Sequence, residues 1–128
     1  TVLSGGTLDG VMFEPTLLEN VAHDLEVYKD EVFGPLAIIE KYSDFEAGIQ
    51  CINSSRFGLQ AGLYTQNLNK MMYAWQHLDV GGVLINDIPS FRVDNMPYGG
   101  VKDSGLGREG IQSAIRDMQE ERVLAIKV

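Results

Sequence analysis

Basic residues, cysteine, histidine and long apolar runs are all scarce in this chain, and each scarcity closes off a class of function. Only 10 Lys and Arg stand against 18 Asp and Glu in 128 residues, a formal net charge of −8. Nucleic-acid recognition needs a basic face and anionic lipid attracts basic segments, so neither partner is expected. No apolar run approaches the ~20 residues of a membrane helix, and the N-terminus lacks the basic-then-apolar pattern of a secretory signal. The one cysteine, Cys51, permits no internal disulfide. A reducing, cytoplasmic setting is therefore the expectation. Asn53-Ser54-Ser55 matches a glycosylation acceptor, but without a secretory signal it reads as chance. The two histidines, His23 and His77, lie far from each other and from Cys51, with no i, i+3 or i+4 pairing, so no metal site is expected.

What is present is a chain of one ordinary domain's size, whose 45% apolar content suffices for a core. Thr1-Val2-Leu3 runs into Gly5-Gly6 without an initiating methionine, as in a piece cut from something larger. Val11–Phe13 and Thr16–Leu18 read as a strand around Glu14-Pro15, with Pro15 favouring a bulge or an edge. Leu25–Asp30 reads as one helical turn. Leu36–Ile39 is a short unbroken apolar run, as in a strand buried on both faces. Ser43 and Glu46 make a capping box, after which Phe45, Ile49 and Ile52 recur on one helix face. Gln60–Thr65 is a second strand. Asn67 caps a second helix, whose apolar face is Leu68, Met71, Met72, Trp75 and Leu78. Gly81-Gly82 ends it, and Val83–Ile85 is a third strand.

This order predicts two successive βαβ units and an α/β fold: three layers, with a mostly parallel sheet flanked by helices. The stretch from Asp87 to Gly107 then has no periodicity. It exceeds the ~12–15 residues beyond which a structureless loop is usually functional. A last helix opens near Arg108, with Ile111, Ala114, Ile115 and Met118 on one face. Val123–Val128 reads as a terminal apolar strand, either an ordinary edge of this fold or a pairing edge for a partner.

Three stretches could carry chemistry. Pro97–Gly110 has glycine at 99, 100, 105, 107 and 110, and its end is a literal G-x-G-x-x-G. A dinucleotide cradle requires that motif between a buried strand and a helix within a larger βαβ array. Val101–Ser104 is no such strand, and Ile111–Val128 cannot hold a second half, so the match reads as accidental. Cys51 flanks a packed helix face with no histidine near it in sequence, which is not the electropositive setting of a reactive thiolate. In Glu31–Pro35 a carboxylate precedes an aromatic and a Gly-Pro breaker. Glu31 could accept from a diol while Phe33 stacks on a flat heterocycle; equally, they could be a helix-end glutamate and a core phenylalanine.

Four stretches in order resemble one family. Glu31-Val32-Phe33-Gly34-Pro35 is similar to the E-x-F-G-P motif of the aldehyde dehydrogenase superfamily. Ile52-Asn53-Ser54-Ser55-Arg56-Phe57-Gly58-Leu59-Gln60-Ala61-Gly62 resembles its A-N-x-S-x-Y-G-L-x-A-x stretch. Gly82-Val83-Leu84-Ile85-Asn86 resembles its G-x-V-x-(I/V)-N strand. Pro97 to Glu109 resembles its P-F-G-G-x-K-x-S-G-x-G-R-E signature, with Tyr98 where phenylalanine is commoner.

The resemblance implies the C-terminal part of a catalytic domain (1–122) followed by a terminal oligomerisation strand (123–128). It implies an enzyme that oxidises an aldehyde with NAD or NADP through a cysteine thiohemiacetal and thioester. The family's nucleophile, oxyanion donor and base lie upstream of the matched region, and Cys51 matches none of them, so no catalytic residue carries over and the piece alone is expected to be inactive. By resemblance, Glu31 and Phe33 meet the cofactor, Phe91, Arg92 and Tyr98 line the substrate pocket, and Arg108 with Glu120 serve a homodimer or homotetramer interface. The competing expectation is a non-catalytic acidic α/β interaction module. It accounts for composition and periodicity but not for four ordered motifs.

Overall fold

Strand β1 (Val2–Ser4) pairs antiparallel with β4 (Thr16–Glu19), and β4 pairs parallel with β5 (Leu36–Ile39), in register from Thr16↔Leu36 to Glu19↔Ile39. The structure is a computed structural model describing residues 1–128, and it divides into two units, Thr1–Gly48 and Ile49–Val128. The first unit holds this three-stranded sheet, a two-stranded hairpin of β2 (Leu8–Asp9) and β3 (Met12–Phe13), and the single turn α1 (Glu26–Lys29). The strand expected around Glu14-Pro15 is thus two strands, with the proline between them. Gly5, at φ 73°, follows β1; a Cβ there would lie 2.1 Å from the Pro15 carbonyl oxygen, so only glycine fits.

Thr16 is buried, yet its hydroxyl accepts from the Gly6 N–H (2.9 Å) and donates to the Glu14 carbonyl (2.8 Å), so no polar group is stranded. Lys41 pairs with Glu19 at 2.9 Å; this hydrogen bond, and then the carboxylate's charge, hold its ammonium above the ordinary lysine value of 10.5. A raised lysine pKa adds stability below that value and loses it as pH climbs through the folded one. The lysine is exposed, so solvent screens the pair and the effect is small.

The helix α2 (Phe45–Asn53) begins one residue later than a Ser43 cap would place it. Asp44 is the cap: its carboxylate accepts from the Ala47 N–H at 2.8 Å and its carbonyl from Gly48. The capping box was therefore misplaced by one residue, because a short acid caps as well as a serine.

In the second unit, β7 (Gln60–Leu63) runs parallel to β8 (Gly82–Ile85), with α3 (Leu68–His77) between them in sequence and against β8 in space. This is the second of the two expected βαβ units. The first does not form as a paired unit, since β5 bonds to β4 and β7 to β8. Apolar runs identify strands without naming their neighbours. The α/β class holds, with parallel pairs at β4-β5 and β7-β8.

Asn67 caps α3 as expected, accepting from the Lys70 N–H at 3.2 Å. Only part of the expected apolar face is covered. Ala74 and Leu78 are buried, while Leu68, Met72 and Trp75 are exposed. Ala74 lets the helix approach closely because it carries a single methyl.

Two short strands frame the glycine-rich region. β6 (Phe57–Gly58) pairs antiparallel with β9 (Val101–Lys102), and Tyr98 bridges to Glu109. The last helix, α4 (Ile111–Asp117), starts after Gly110 rather than at Arg108. Val123–Val128 belongs to no strand, and its Val123, Leu124, Ile126 and Val128 are exposed. An apolar run becomes a strand only where another edge accepts its hydrogen bonds. No helix is long and apolar enough to cross a membrane.

Candidate functional site

The first candidate stretch, Glu31–Pro35, is tied at both ends. Before it, the Asp30 N–H closes α1 on the Glu26 carbonyl; after it, the Pro35 carbonyl accepts from Thr16 N–H at 2.8 Å. Between these ties, Gly34 N–H bonds to the Val32 carbonyl (2.9 Å) and Leu36 N–H to the Gly34 carbonyl (2.8 Å). These are two consecutive three-residue turns. They hold the backbone while Phe33 stands 98% exposed. Glu31 is exposed too, and its carboxylate makes no ion pair or hydrogen bond within the chain. Within this chain the ring packs on nothing. The pair fits a ligand with a flat ring and adjacent hydroxyls, because a free carboxylate accepts from hydroxyls and a bare ring stacks.

The second stretch lies in the second unit. Arg92 places its guanidinium 4.4 Å from the centre of the Tyr98 ring, a cation–π contact, and its tip is 3.5 Å from the Glu109 carboxylate. Tyr98 and Glu109 are also joined through their backbones. Arg92 and Tyr98, each expected to line a substrate pocket, are thus in contact with each other, and Glu109 joins them. Phe91 is half-exposed; its N–H bonds to Ile88 and its carbonyl accepts from Gln60 Nε2 at 3.3 Å.

Arg108 turns onto its own loop, donating to the carbonyls of Gly100 (3.1 Å) and Gly107 (2.7 Å). Glu120 lies beyond α4, exposed and unpaired with Arg108. The loop from Gly99 to Gly107 curls around an open cleft of about 280 Å3, and the cleft is lined by Glu109 and no cation. A carboxylate there repels a pyrophosphate, which agrees with reading the G-x-G-x-x-G as accidental.

Sequence reasoning missed the residues that fasten this loop. The Asn53 amide donates to the His77 carbonyl (2.6 Å) and accepts from the Asp79 N–H (2.8 Å), tying the ends of α2 and α3. Lys102 reaches the carbonyls of Asn53 (2.9 Å) and Ser55 (3.1 Å) and the Asp79 carboxylate (3.6 Å). Ser104 Oγ accepts from the Gly58 N–H (2.9 Å), and Arg56 pairs with Asp103 at 2.8 Å. Polar residues in aperiodic loops give no hint of these partners.

Comparison with known proteins places this geometry. Residues 1–124 match the aldehyde dehydrogenase family, and the chain belongs to that family. It is 46% identical to a 3-sulfolactaldehyde dehydrogenase of Priestia aryabhattai over 97% of this chain and 26% of that protein. It is 41% identical to a lactaldehyde dehydrogenase of Methanococcus aeolicus, over 98% and 27% respectively. The solved structure of aldehyde dehydrogenase 21 from Physcomitrella patens with its reaction product succinate superposes with a TM-score of 0.92 at 46% identity, over 98% of this chain and 26% of that one. A glyceraldehyde-3-phosphate dehydrogenase from Methanocaldococcus jannaschii complexed with NADP superposes with a TM-score of 0.80 at 44% identity, over 91% and 25%. The chain thus spans about a quarter of the length of the relatives it matches.

Proposed function

We propose that this chain is the cofactor- and substrate-facing C-terminal part of an NAD(P)-dependent aldehyde dehydrogenase. The observation that carries the reading is the bare Glu31–Phe33 pair on a fastened turn, in a chain of this family. When bound, the nicotinamide accepts the hydride that the aldehyde carbon gives up. Glu31 holds the nicotinamide-ribose hydroxyls and Phe33 flanks the ring. The thiolate that adds to the carbonyl, and the base that delivers water to the resulting thioester, come from the part of the family's fold that this chain does not span. The products are a carboxylic acid, a reduced cofactor and a proton.

In this reading Arg92, held over Tyr98 and 3.5 Å from the Glu109 carboxylate, is the cation that faces the substrate. The two most similar partners described above bear on an anionic group, a sulfonate in one and succinate in the other, while the lactaldehyde relative handles a neutral aldehyde. The reading is a small polar aldehyde, with an anionic group favoured by Arg92. In the full-length protein, Arg92→Met is expected to raise KM for an anionic aldehyde roughly tenfold or more, the worth of a charge-assisted hydrogen bond. KM for a neutral aldehyde of equal size should barely change. Equal effects on both would remove Arg92 from substrate recognition.

Arg108, Glu120 and the exposed run Val123–Val128 belong in this reading to a homodimer or homotetramer interface in a cytoplasmic enzyme. The test of the whole reading is aldehyde-dependent formation of reduced nicotinamide by the full-length protein, with none from the 128-residue chain alone. A full-length protein silent toward anionic and neutral aldehydes with both cofactors would overturn it. So would turnover by the short chain.

A further inference from the structure

We propose that Lys102 is a positioning residue for the substrate pocket, acting through the Tyr98–Arg92 pair; this rests on the aldehyde dehydrogenase reading above. Lys102 is a non-glycine residue at φ 54°, in the left-handed region that L side chains rarely adopt. Such a conformation persists only where surrounding contacts over-determine it. Here backbone pairing with Phe57 in β6 and contacts of the side chain share that task. Its ammonium donates to the Asn53 and Ser55 carbonyls and forms an ion pair with the Asp79 carboxylate at 3.6 Å. Two of these close the C-terminal end of α2, where a cation also meets the negative end of the helix dipole. Asp79 follows α3, and Asn53 already binds its backbone N–H. One ammonium therefore fastens β9 to the ends of two helices at once.

The consequence reaches Tyr98 through a short path. From Lys102 the chain runs back through Val101, Gly100 and Gly99 to Tyr98, and glycines transmit position only if the strand beside them is fixed. Gly99 is pressed against Gly81, and Tyr98 is bridged to Glu109. If β9 shifts, the Tyr98 ring shifts beneath the Arg92 guanidinium that it supports at 4.4 Å. Lys102 touches neither ligand; it sets where the ring and the cation stand. The side chain is mostly covered, with 20% of it exposed, so water does not replace its partners cheaply.

The experiment uses the full-length protein with Lys102→Met, which keeps the length of the aliphatic stem and removes all three donors. The expected result is a rise of about tenfold in aldehyde KM, with the cofactor KM changed less than about twofold. Lys102→Arg, which keeps charge and donors, should recover most of the loss. A purely structural role would lower the amount of active enzyme and leave both KM values alone, and that outcome overturns the proposal. An equal rise in both KM values overturns it as well. If Lys102→Met does not fold, Lys102→Gln, which removes the charge and keeps an amide donor, is measured in its place: a selective rise in aldehyde KM supports the proposal, and unchanged KM values or a protein that also fails to fold refute it. A wild-type protein with no aldehyde-dependent activity would instead sink the functional reading, so the two failures are told apart.

Discussion

On the proposed reading, Glu31→Gln in the full-length protein is expected to lower kcat/KM for the cofactor about 10- to 100-fold while leaving the fold intact. The replacement keeps the shape of the side chain but removes its charge and turns one acceptor oxygen into a donor, so a hydroxyl pair is no longer held by two acceptors. A hydrogen bond to a charged group is worth about 1.5–3 kcal/mol, which sets that range. Stability should stay within about 0.5 kcal/mol, because Glu31 contacts no partner in the chain and surface substitutions of that kind are nearly neutral. Burst-phase and steady-state kinetics with both cofactors, beside a thermal melt, make the check. Unchanged kinetics would return Glu31 to the status of an ordinary exposed acid, and a lost fold would show that the carboxylate matters to the protein before it matters to any ligand.

Gly81→Ala should be the most damaging single change to folding in the second unit. An added Cβ would sit 1.7 Å from the Gly99 carbonyl oxygen, 2.8 Å from its carbon and 3.0 Å from the Leu59 carbonyl oxygen. All three atoms are backbone, so no side chain can swing away. The site cannot back off either, since Gly81 N–H bonds to the Gly58 carbonyl at 3.0 Å and Gly82 N–H to the Leu59 carbonyl at 3.1 Å. Overpacking of this kind costs about 3 kcal/mol or more. Urea titration should move the unfolding midpoint down sharply, and the yield of folded protein should fall with it. A midpoint within error of wild type would mean that Gly99 has freedom the geometry denies.

Where the sequence was legible, the cause was local. Asn67 announced α3 because a capping side chain acts within three residues of itself. The strands β5 and β8 stood out as apolar runs between breakers, and β7 as a short strand between them. Pairing was not legible, because nothing in β5 or β7 says that the first joins β4 and the second β8. Periodicity likewise marks an apolar face without saying what covers it. Hence Leu68, Met72 and Trp75 on α3, Ile111 on α4 and Met118 just after it are exposed although the pattern alone suggested a core.

The candidate site divides in the same way. Glu31, Phe33, Arg92 and Tyr98 were reached through motif resemblance, while physical reading alone left the first two undecided. Their bareness, and the stacking of Arg92 on Tyr98, needed coordinates. Asn53 and Lys102 were visible only as letters within matched stretches. Their partners lie 23 to 49 residues away in the chain, a distance at which no spacing rule applies. The φ of 54° at Lys102 had no sequence signal at all, since lysine is not a residue one assigns to a left-handed turn.

The segment between Asn86 and Tyr98 is clamped at both ends by contacts that do not involve its own side chains. Asn86 gives its N–H to the Leu63 carbonyl at 2.7 Å and accepts the Thr65 N–H on Oδ1 at 2.8 Å, and Tyr98 is bridged to Glu109. Asp87 to Pro97 can therefore be treated as a cassette. A counterpart from a relative with a different aldehyde preference can be spliced between the same two clamps, carrying its Arg92 equivalent with it while the junctions stay in register. In the proposed reading, the share of substrate choice that Phe91 and Arg92 carry travels with this segment, while Tyr98 stays behind in the frame that displays it.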